Sequence, residues 1–150
     1  GDHRDLHLSI RRQRQMCIRD RVQIGVKEIL LRQPQLTYRP EDVYADCVTG
    51  AATLFIDEHQ NFAITTVEVD RFTGASTFLI WLAWCSGKGL HHCSFTELYM
   101  PFFDKVARDC KCDFVEARSS LDKLTDYYLK SGWDLETRVF RRKIERHREK

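Results

Sequence analysis

The sequence lacks long hydrophobic runs, and this limits the kinds of protein it can encode. Its longest apolar run, Phe78 to Cys85, has the length of one strand and is far short of the roughly 20 residues of a membrane-spanning helix. Nor does it contain the charged, apolar and small-residue pattern of a signal peptide. We therefore expect a cytoplasmic protein with no membrane partner.

Cysteine is also too scarce to support a particular class of fold. Six cysteines in 150 residues do not make a disulfide scaffold, so free thiols are expected. There is no internal repeat and no low-complexity linker. With 43% hydrophobic and 31% charged residues, the composition is that of a globular chain that can bury a core, and its length fits one domain.

Most of the positive charge lies at the start of the chain. Residues 1–21 carry six arginines and three aspartates, which is a net charge of +3, whereas the whole chain has a net charge of +2. Residues 22–150 therefore carry a net charge of −1. Because that remainder is weakly acidic, the electrostatic case for a nucleic-acid partner disappears, and none is expected.

The same segment has an unusual coding property. Residues 1–7 and the stretch RRQRQMCIRDR at 11–21 can be encoded by the DNA adapters that are used for sequencing libraries. The two segments match the adapters in the same order and in the same reading frame. We interpret residues 1–21 as a translated adapter, a non-native tail. Residues 22–150 then form one domain that is truncated at its N-terminus. A native gene encoding RRQRQMCIRDR before Val22 would contradict this interpretation.

Apolar spacing and turn residues predict an alternation of helices and strands. The expected order is helices at 22–33 and 40–49, a hairpin of strands at 52–57 and 61–69, a central strand at 76–85, a helix at 94–110, a strand at 113–119, a helix at 119–132 and a strand at 133–144. Strands joined by a hairpin are antiparallel, and strands joined through a helix tend to be parallel. The order therefore predicts an α+β fold with one mixed sheet covered by helices.

Two local features of these elements are specific enough to test. The hydrophobic phase of the second strand slips at Thr65–Thr66, which indicates a β-bulge. Ser94 and Glu97 have the spacing of a capping box, which predicts that the third helix begins at Ser94. Its apolar stripe would include Phe102 and Cys110.

The segment Tyr128-Leu129-Lys130-Ser131-Gly132-Trp133 resembles the end of the last helix in the GNAT superfamily of acyl-CoA-dependent N-acetyltransferases, where Tyr-x-Lys-x-Gly-aromatic is common. That family also carries Arg or Gln, two residues and then Gly-x-Gly after its long central strand. Here Gly87-Lys88-Gly89 follow the strand, and the Arg or Gln position holds Trp84. The resemblance implies a GNAT-like mixed, mostly antiparallel sheet flanked by helices on both faces, with the first strand missing.

The resemblance also implies a reaction, in which acetyl moves from acetyl-CoA to an amine on a small molecule or a protein. Gly87, Lys88 and Gly89 would bind the cofactor, since backbone N–H groups at a helix N-terminus suit a pyrophosphate. Tyr128 would be catalytic and protonate the departing thiolate. The alternative is a catalytically inactive GNAT-like structural or accessory protein of a phage, which the overall pattern also resembles and which the departure at Trp84 favours. Either protein would lie in the cytoplasm of a bacterium or of a phage-infected host.

Soft ligands raise the question of a zinc site. His91, His92 and Cys93 precede Cys110 and Cys112, but this spacing matches no familiar zinc module. The position of Cys110 on the apolar stripe favours a buried thiol, and we expect no metal.

Three carboxylates lie late in predicted strands, where a general base for the acceptor amine could stand. They are Glu68, Asp70 and Glu116. The alternative for each is a solvated strand carboxylate, since charged residues are mostly exposed.

Overall fold

A computed structural model describes the backbone of residues 3–85, 92–118 and 122–146, and the side chains of residues 18–85, 99–118 and 125–146. The chain forms two compact units, residues 1–118 and residues 119–150. A single domain over 22–150 and an adapter origin of residues 1–21 stay predictions.

The first unit holds three helices and all four described strands. The elements are α1 (His3–Arg32), α2 (Pro40–Thr49), β1 (Thr53–Ile56), β2 (Phe62–Val69), β3 (Ser76–Trp84), α3 (His92–Asp109) and β4 (Phe114–Ala117). The strands form one sheet in the order β1-β2-β3-β4. β1, β2 and β3 are antiparallel neighbours, whereas β4 runs parallel to β3 because α3 connects them. The predicted α+β class and mixed, mostly antiparallel sheet are confirmed. No strand precedes the hairpin in the described part of the chain.

Helices cover both faces of this sheet, as predicted. α1 and α2 pack on one face around the buried side chains of Val22, Val26, Val43, Phe62, Ile64 and Leu82. α3 packs on the other face, around Phe78, Phe103 and Ala107. The sheet is therefore the middle of three layers, and β2 and β3, which contribute to both cores, are its most buried strands.

A glycine allows α1 to approach the sheet closely. A Cβ atom placed on Gly25 would lie 2.5 Å from a ring carbon of Phe62 and 3.0 Å from a ring carbon of Trp84. Phe62 is fully buried, so its ring has no space to move into. The indole Nε1 of Trp84 also donates a hydrogen bond of 2.6 Å to Glu28, one turn further along α1. These contacts fix α1 to the ends of β2 and β3.

The second helix begins and ends where the sequence predicts. Pro40 is its first residue and Gly50 follows its last. Proline suits a first helical position because its missing N–H has no helical partner there. Gly50 has φ +85°, a left-handed conformation that favours glycine.

The third helix differs from its prediction at both ends. It begins at His92, so Ser94 is interior and the predicted capping box is wrong. It ends at Asp109 through two hydrogen bonds, from the N–H of Lys111 to the carbonyl of Arg108 (3.0 Å) and from the N–H of Cys112 to the carbonyl of Ala107 (2.9 Å). This is a Schellman ending with Lys111 at φ +59°. A non-glycine residue in this position gives no sequence signal.

The apolar stripe of α3 also differs from the prediction. The fully buried side chains are Phe103 and Ala107, whereas Phe102 is 46% exposed. Cys110 lies beyond the end of the helix and is exposed, so the expected buried thiol is wrong at this position. Cys112, which is half-buried, packs against the α3 core instead.

The second unit contains α4 (Asp122–Lys130) and an extended tail. The strand predicted at 133–144 is absent from the structure, because residues 133–146 pair with no strand in the described part of the chain. A strand needs a neighbouring backbone to satisfy its hydrogen bonds, and an alternating sequence alone does not supply one. Val139 and Phe140 are 82% and 90% exposed.

None of the helices in the described residues combines the length and apolar character that crossing a membrane requires.

The close approach at Gly25 predicts that alanine there is destabilising. Gly25→Ala should lower the free energy of unfolding by about 1–3 kcal/mol through overpacking against Phe62, despite the roughly 1 kcal/mol that alanine gains over glycine in a helix. Urea denaturation measures the difference. Lys27→Ala, at an exposed position of the same helix, is the control and should change stability by less than about 0.5 kcal/mol. A Gly25→Ala protein more stable than wild type would show that α1 is not held as described.

Candidate active site

The sheet opens between β3 and β4 because their pairing stops before β3 does. The β3–β4 ladder runs from Thr77–Phe114 to Ile80–Ala117, whereas the β2–β3 ladder continues to Phe62–Trp84. Within the described residues, the last part of β3 therefore has a neighbour on one side only. Beyond Ile80, the backbone N–H groups of β3 that point away from β2 do not form ladder hydrogen bonds with β4.

A β-bulge stands at the point where the sheet opens. Ile64 pairs with Leu82 and Thr65 pairs with Ile80, so Trp81 is an extra residue of β3. As a result, Trp81 and Leu82 both pack on the α1 and α2 face. The bulge predicted at Thr65–Thr66 is confirmed as an irregularity of this ladder, but the extra residue belongs to the partner strand. The phase of β2 alone could not show which strand carries it.

The Gly-rich segment follows the open end of β3. Gly87, Lys88 and Gly89 lie outside the described residues, which resume at His92 in the first turn of α3. The helix therefore begins within three residues of Gly89, closer than the cap predicted at Ser94 would have placed it. A helix N-terminus that follows a Gly-rich loop is a favourable place for an anion.

The open end of β3 carries a hydrogen-bonded polar cluster that sequence reasoning missed. Tyr99, on α3, donates a hydrogen bond of 2.7 Å to Oδ2 of Asp57 in the β1–β2 turn. The same carboxylate accepts hydrogen bonds from the side chain of Asn61 at 3.0 Å and from its backbone N–H at 2.9 Å. Asn61 is 1% exposed. This cluster fixes the β1–β2 turn to α3, across the end of β3 at Cys85.

The titration of these groups follows from the cluster. Burial alone would raise the pKa of Asp57, but hydrogen bonds from Tyr99, from Asn61 and from the backbone of His59 outweigh it, and the pKa lies below its usual value. The hydrogen bond to Asp57 raises the pKa of Tyr99 to about 12, with burial and nearby negative charge adding to the effect. Burial, followed by the charge of Asp57, raises the pKa of the Cys85 thiol. Tyr99 and Cys85 are therefore protonated at neutral pH, and neither is a ready nucleophile.

Trp84, at the position of the family's Arg or Gln, has a structural role. Its indole packs against Phe62 with ring centroids 5.5 Å apart and donates to Glu28. The side chain is thus on the α1 face and contributes no positive charge to the Gly-rich segment. Any cofactor phosphate there would depend on backbone N–H groups and on Lys88.

In the second unit, the segment that resembles the family motif forms the C-terminal cap of α4. The N–H of Gly132 bonds to the carbonyl of Leu129 and the N–H of Trp133 bonds to the carbonyl of Tyr128, with Gly132 at φ +88°. This is a second Schellman ending, and its usual hydrophobic contact is made by the rings of Tyr128 and Trp133, 5.1 Å apart. The glycine cap predicted at Gly132 is confirmed. The half-buried Tyr128 has a packing role in addition to any chemical one.

The three strand carboxylates have structural partners. Arg118 lies 3.2 Å from Glu68 and 3.3 Å from Glu116, in an exposed group of three charges. Asp70 accepts hydrogen bonds from the backbone N–H groups of Thr73 and Phe72, which lower its pKa. Asp70 therefore stabilises the β2–β3 turn, and Arg118 pairs with the other two carboxylates, which leaves a net charge of −1 on that group.

The proposed zinc ligands remain largely unplaced. His91 and the side chains of His92 and Cys93 lie outside the described residues. Burial raises the pKa of the Cys112 thiol, and the neighbouring Cys110 and Asp113 raise it further, which disfavours the thiolate that zinc binds. The described part of the chain contains no group of three potential metal ligands.

A cavity of about 350 Å³ lies beside α2 and was not foreseen from the sequence. Its walls include two aromatic rings, those of Tyr38 and Trp81, whose centroids are 5.1 Å apart in an edge-to-face arrangement. Arg39, Asp42 and Asp46 are also among the residues that line it. These residues come from the α1–α2 connection, α2 and the β3 bulge, so no local motif could have connected them.

The architecture has counterparts among solved structures. A Pyrococcus furiosus protein, described provisionally as an acetyl transferase, superposes with a TM-score of 0.64 at 11% identity, over 83% of this chain and 93% of that one. The fold is GNAT-like. A Trypanosoma brucei acetyltransferase superposes with a TM-score of 0.52 at 16% identity, over 71% and 78% of the two chains. A tetramutant of a Bacillus halodurans protein gives 0.61 at 12% identity, over 87% and 95%. No family model matches the sequence, and no curated protein matches it significantly.

The polar cluster predicts a specific stability change at Tyr99. Tyr99→Phe should lower the free energy of unfolding by about 1–2 kcal/mol at neutral pH, because it removes a hydrogen bond to a charged group in a partly buried site. Since the folded-state pKa of Tyr99 is raised to about 12, this stabilisation is fully present below the unfolded pKa of about 10 and is lost as the pH rises through the folded one.

Denaturation of both proteins at several pH values measures this effect. Tyr44→Phe is the control, since Tyr44 packs against the α1 and α2 core and its hydroxyl makes no hydrogen bond among the described residues. Equal stability of Tyr99→Phe and wild type at neutral pH would contradict the role of the cluster.

Proposed function

We propose that this protein is an acyl-CoA-dependent N-acetyltransferase that moves acetyl from acetyl-CoA to an amine on a small molecule or a protein. One observation carries the proposal, namely the opening of the sheet beside β3, directly before a Gly-rich segment and the N-terminus of α3. The similarity of the fold to acetyltransferase structures supports it.

The residues present suit the pyrophosphate group of acetyl-CoA. Glycines at 87 and 89 have no side chains that could obstruct backbone N–H groups, and Lys88, four residues before the first described residue of α3, carries a positive charge. The hydrogen bond between Tyr99 and Asp57 holds α3 to the β1–β2 turn and so fixes the helix that would receive the phosphates.

The open edge of β3 suits the reacting carbonyl. An N–H group that points away from β2 beyond Ile80 can donate to the carbonyl oxygen as negative charge develops on it. Placing such a donor on a strand makes it rigid, which is the condition for electrostatic stabilisation of a transition state.

The transfer also requires two proton movements. The amine nitrogen forms a bond to the acetyl carbon, the carbon–sulfur bond breaks, and the nitrogen loses a proton while the sulfur gains one. We assign the second proton to the phenol of Tyr128, since an unprotonated aliphatic thiolate is a poor leaving group and a phenol with a pKa of about 10 can protonate it.

A second candidate function is a catalytically inactive GNAT-like protein, such as a structural or accessory protein of a phage. The engagement of Trp84 with Phe62 and Glu28 favours it, because the family's basic or amide side chain is then missing from the cofactor loop. Cofactor binding distinguishes the two functions.

For an acetyltransferase, acetyl-CoA should stabilise the folded protein. At a concentration 100 times its dissociation constant, the gain is about 2.7 kcal/mol, which a thermal shift assay detects. Gly87→Leu should abolish the shift by blocking backbone approach, whereas Gly74→Leu, in the open β2–β3 turn, should preserve it. The absence of any shift for wild type at about 1 mM acetyl-CoA would favour the inactive protein.

The assignment of Tyr128 predicts a kinetic defect without a binding defect. Tyr128→Phe keeps the ring that packs on Trp133 and removes the hydroxyl, so turnover should fall by roughly 100-fold or more, while the acetyl-CoA thermal shift stays nearly unchanged. Tyr127→Phe, at the next residue of the same helix, is the control and should keep its activity. Wild-type turnover of Tyr128→Phe with a good acceptor would show that Tyr128 only packs.

A further inference from the structure

The cavity beside α2 combines the two features that recognise organic cations. Aromatic rings attract a cation through their negative faces, and Tyr38 and Trp81 form one wall of the cavity. Carboxylates supply charge, and Asp42 and Asp46 are four residues apart on α2, so they lie on the same side of the helix. The volume of about 350 Å³ falls within the range of small-molecule sites.

The charges around the cavity leave a place for one more cation. Arg39 lies 3.6 Å from Asp42 and 3.9 Å from Glu41, and all three side chains are mostly exposed. Asp46 makes no side-chain hydrogen bond or ion pair among the described residues. One guanidinium is thus shared between two carboxylates, and the third carboxylate has no cationic partner in that part of the chain.

The cavity adjoins the place where transfer would occur. Trp81 is both a wall of the cavity and the extra residue of β3 next to Ile80, where the pairing with β4 stops. The cavity and the open edge of β3 therefore share Trp81, whose side chain lines the one and whose backbone stands at the start of the other. The other named residues of the cavity lie on α2 or just before it.

The chemistry of transfer constrains which part of an acceptor this cavity can hold. A nearby carboxylate favours the charged form of an amine, but an ammonium has no lone pair and cannot attack a thioester. The group held by Asp46 is therefore not the group that reacts. An acceptor that suits both demands carries two amines, one that stays protonated in the cavity and one that reaches the opening.

We propose that the cavity lined by Tyr38, Trp81, Asp42 and Asp46 binds the cationic end of a small aliphatic diamine. This diamine is the acetyl acceptor, a role that rests on the proposed acetyltransferase function. The rings hold the methylene chain and the ammonium, and Asp46 neutralises its charge.

Calorimetry with 1,5-diaminopentane tests the binding step on the full chain without acetyl-CoA. We expect wild type to bind it more tightly than n-pentylamine, which has one charge, and not to bind glutarate. Asp46→Asn should raise the Kd about tenfold, the scale of one lost charge contact. Asp109→Asn, the same change at an exposed position at the end of α3, should leave it unchanged. Tyr38→Leu should also weaken binding, which gives a second variant that keeps the charge.

Two results would overturn the binding site: no heat from wild type at about 10 mM diamine, or equal Kd values for Asp46→Asn and Asp109→Asn. Release of free thiol from acetyl-CoA in the presence of the diamine tests the proposed acetyl transfer independently of diamine binding. Diamine binding that depends on Asp46, without thiol release, supports the cavity and contradicts the acetyltransferase. Thiol release with an unchanged kcat/KM in Asp46→Asn supports the acetyltransferase and overturns the cavity as its acceptor site.

Discussion

One extra residue in β3 sets the geometry of everything around the candidate site. Without the bulge, successive side chains of β3 would alternate strictly between the two faces of the sheet. With Trp81 inserted, Trp81 and Leu82 both contribute to the α1 and α2 face, and the pairing with β4 ends at Ile80. In the described part of the chain, this irregularity stands where the sheet opens, and it places an aromatic wall beside the opening. Bulges commonly have this effect next to functional sites.

The bulge works only if the rest of β3 is held firmly, and α1 provides that support. Gly25 allows the helix backbone to lie against Phe62 and Trp84, and Glu28 accepts the indole hydrogen bond. The end of β3 is then fixed from one face by α1, while the Asp57–Tyr99 hydrogen bond fixes α3 from the other. The open edge of β3 therefore lies between α1 and α3, and the contacts of both helices hold this part of the strand in position. The same arrangement explains why an aromatic residue stands at 84: its contribution is to packing.

The sequence predicted those features that depend on local chemistry. Pro40 and Gly50 delimited α2, Gly132 ended α4, and apolar runs between turn residues located the strands, because each signal lies within a few residues of its effect. It failed where a distant partner decides the outcome. The strand expected at 133–144 has no neighbour in the described structure. The end of α3 at Asp109 was missed for a different reason, because Lys111 stands where this local hydrogen-bond pattern usually has glycine. The cavity was invisible because Tyr38 and Trp81 lie 43 positions apart in the chain and become neighbours only through the fold.

The distribution of carboxylates bears on how an acceptor amine could lose its proton. Around the sheet, Asp57 and Asp70 stabilise turns, Glu28 holds Trp84, and Arg118 pairs with the two strand glutamates. Each of these carboxylates therefore already has a structural partner, with which deprotonation of an amine would compete. A diamine bound through one end separates two protonation states, because Asp46 favours the proton on the nitrogen that it contacts while the distal nitrogen extends away from that carboxylate. The distal nitrogen must still lose its proton, to solvent or to a base, before it can attack. An acidic cavity thus keeps one nitrogen protonated and in place, and the reaction proceeds from the other nitrogen once that nitrogen is neutral.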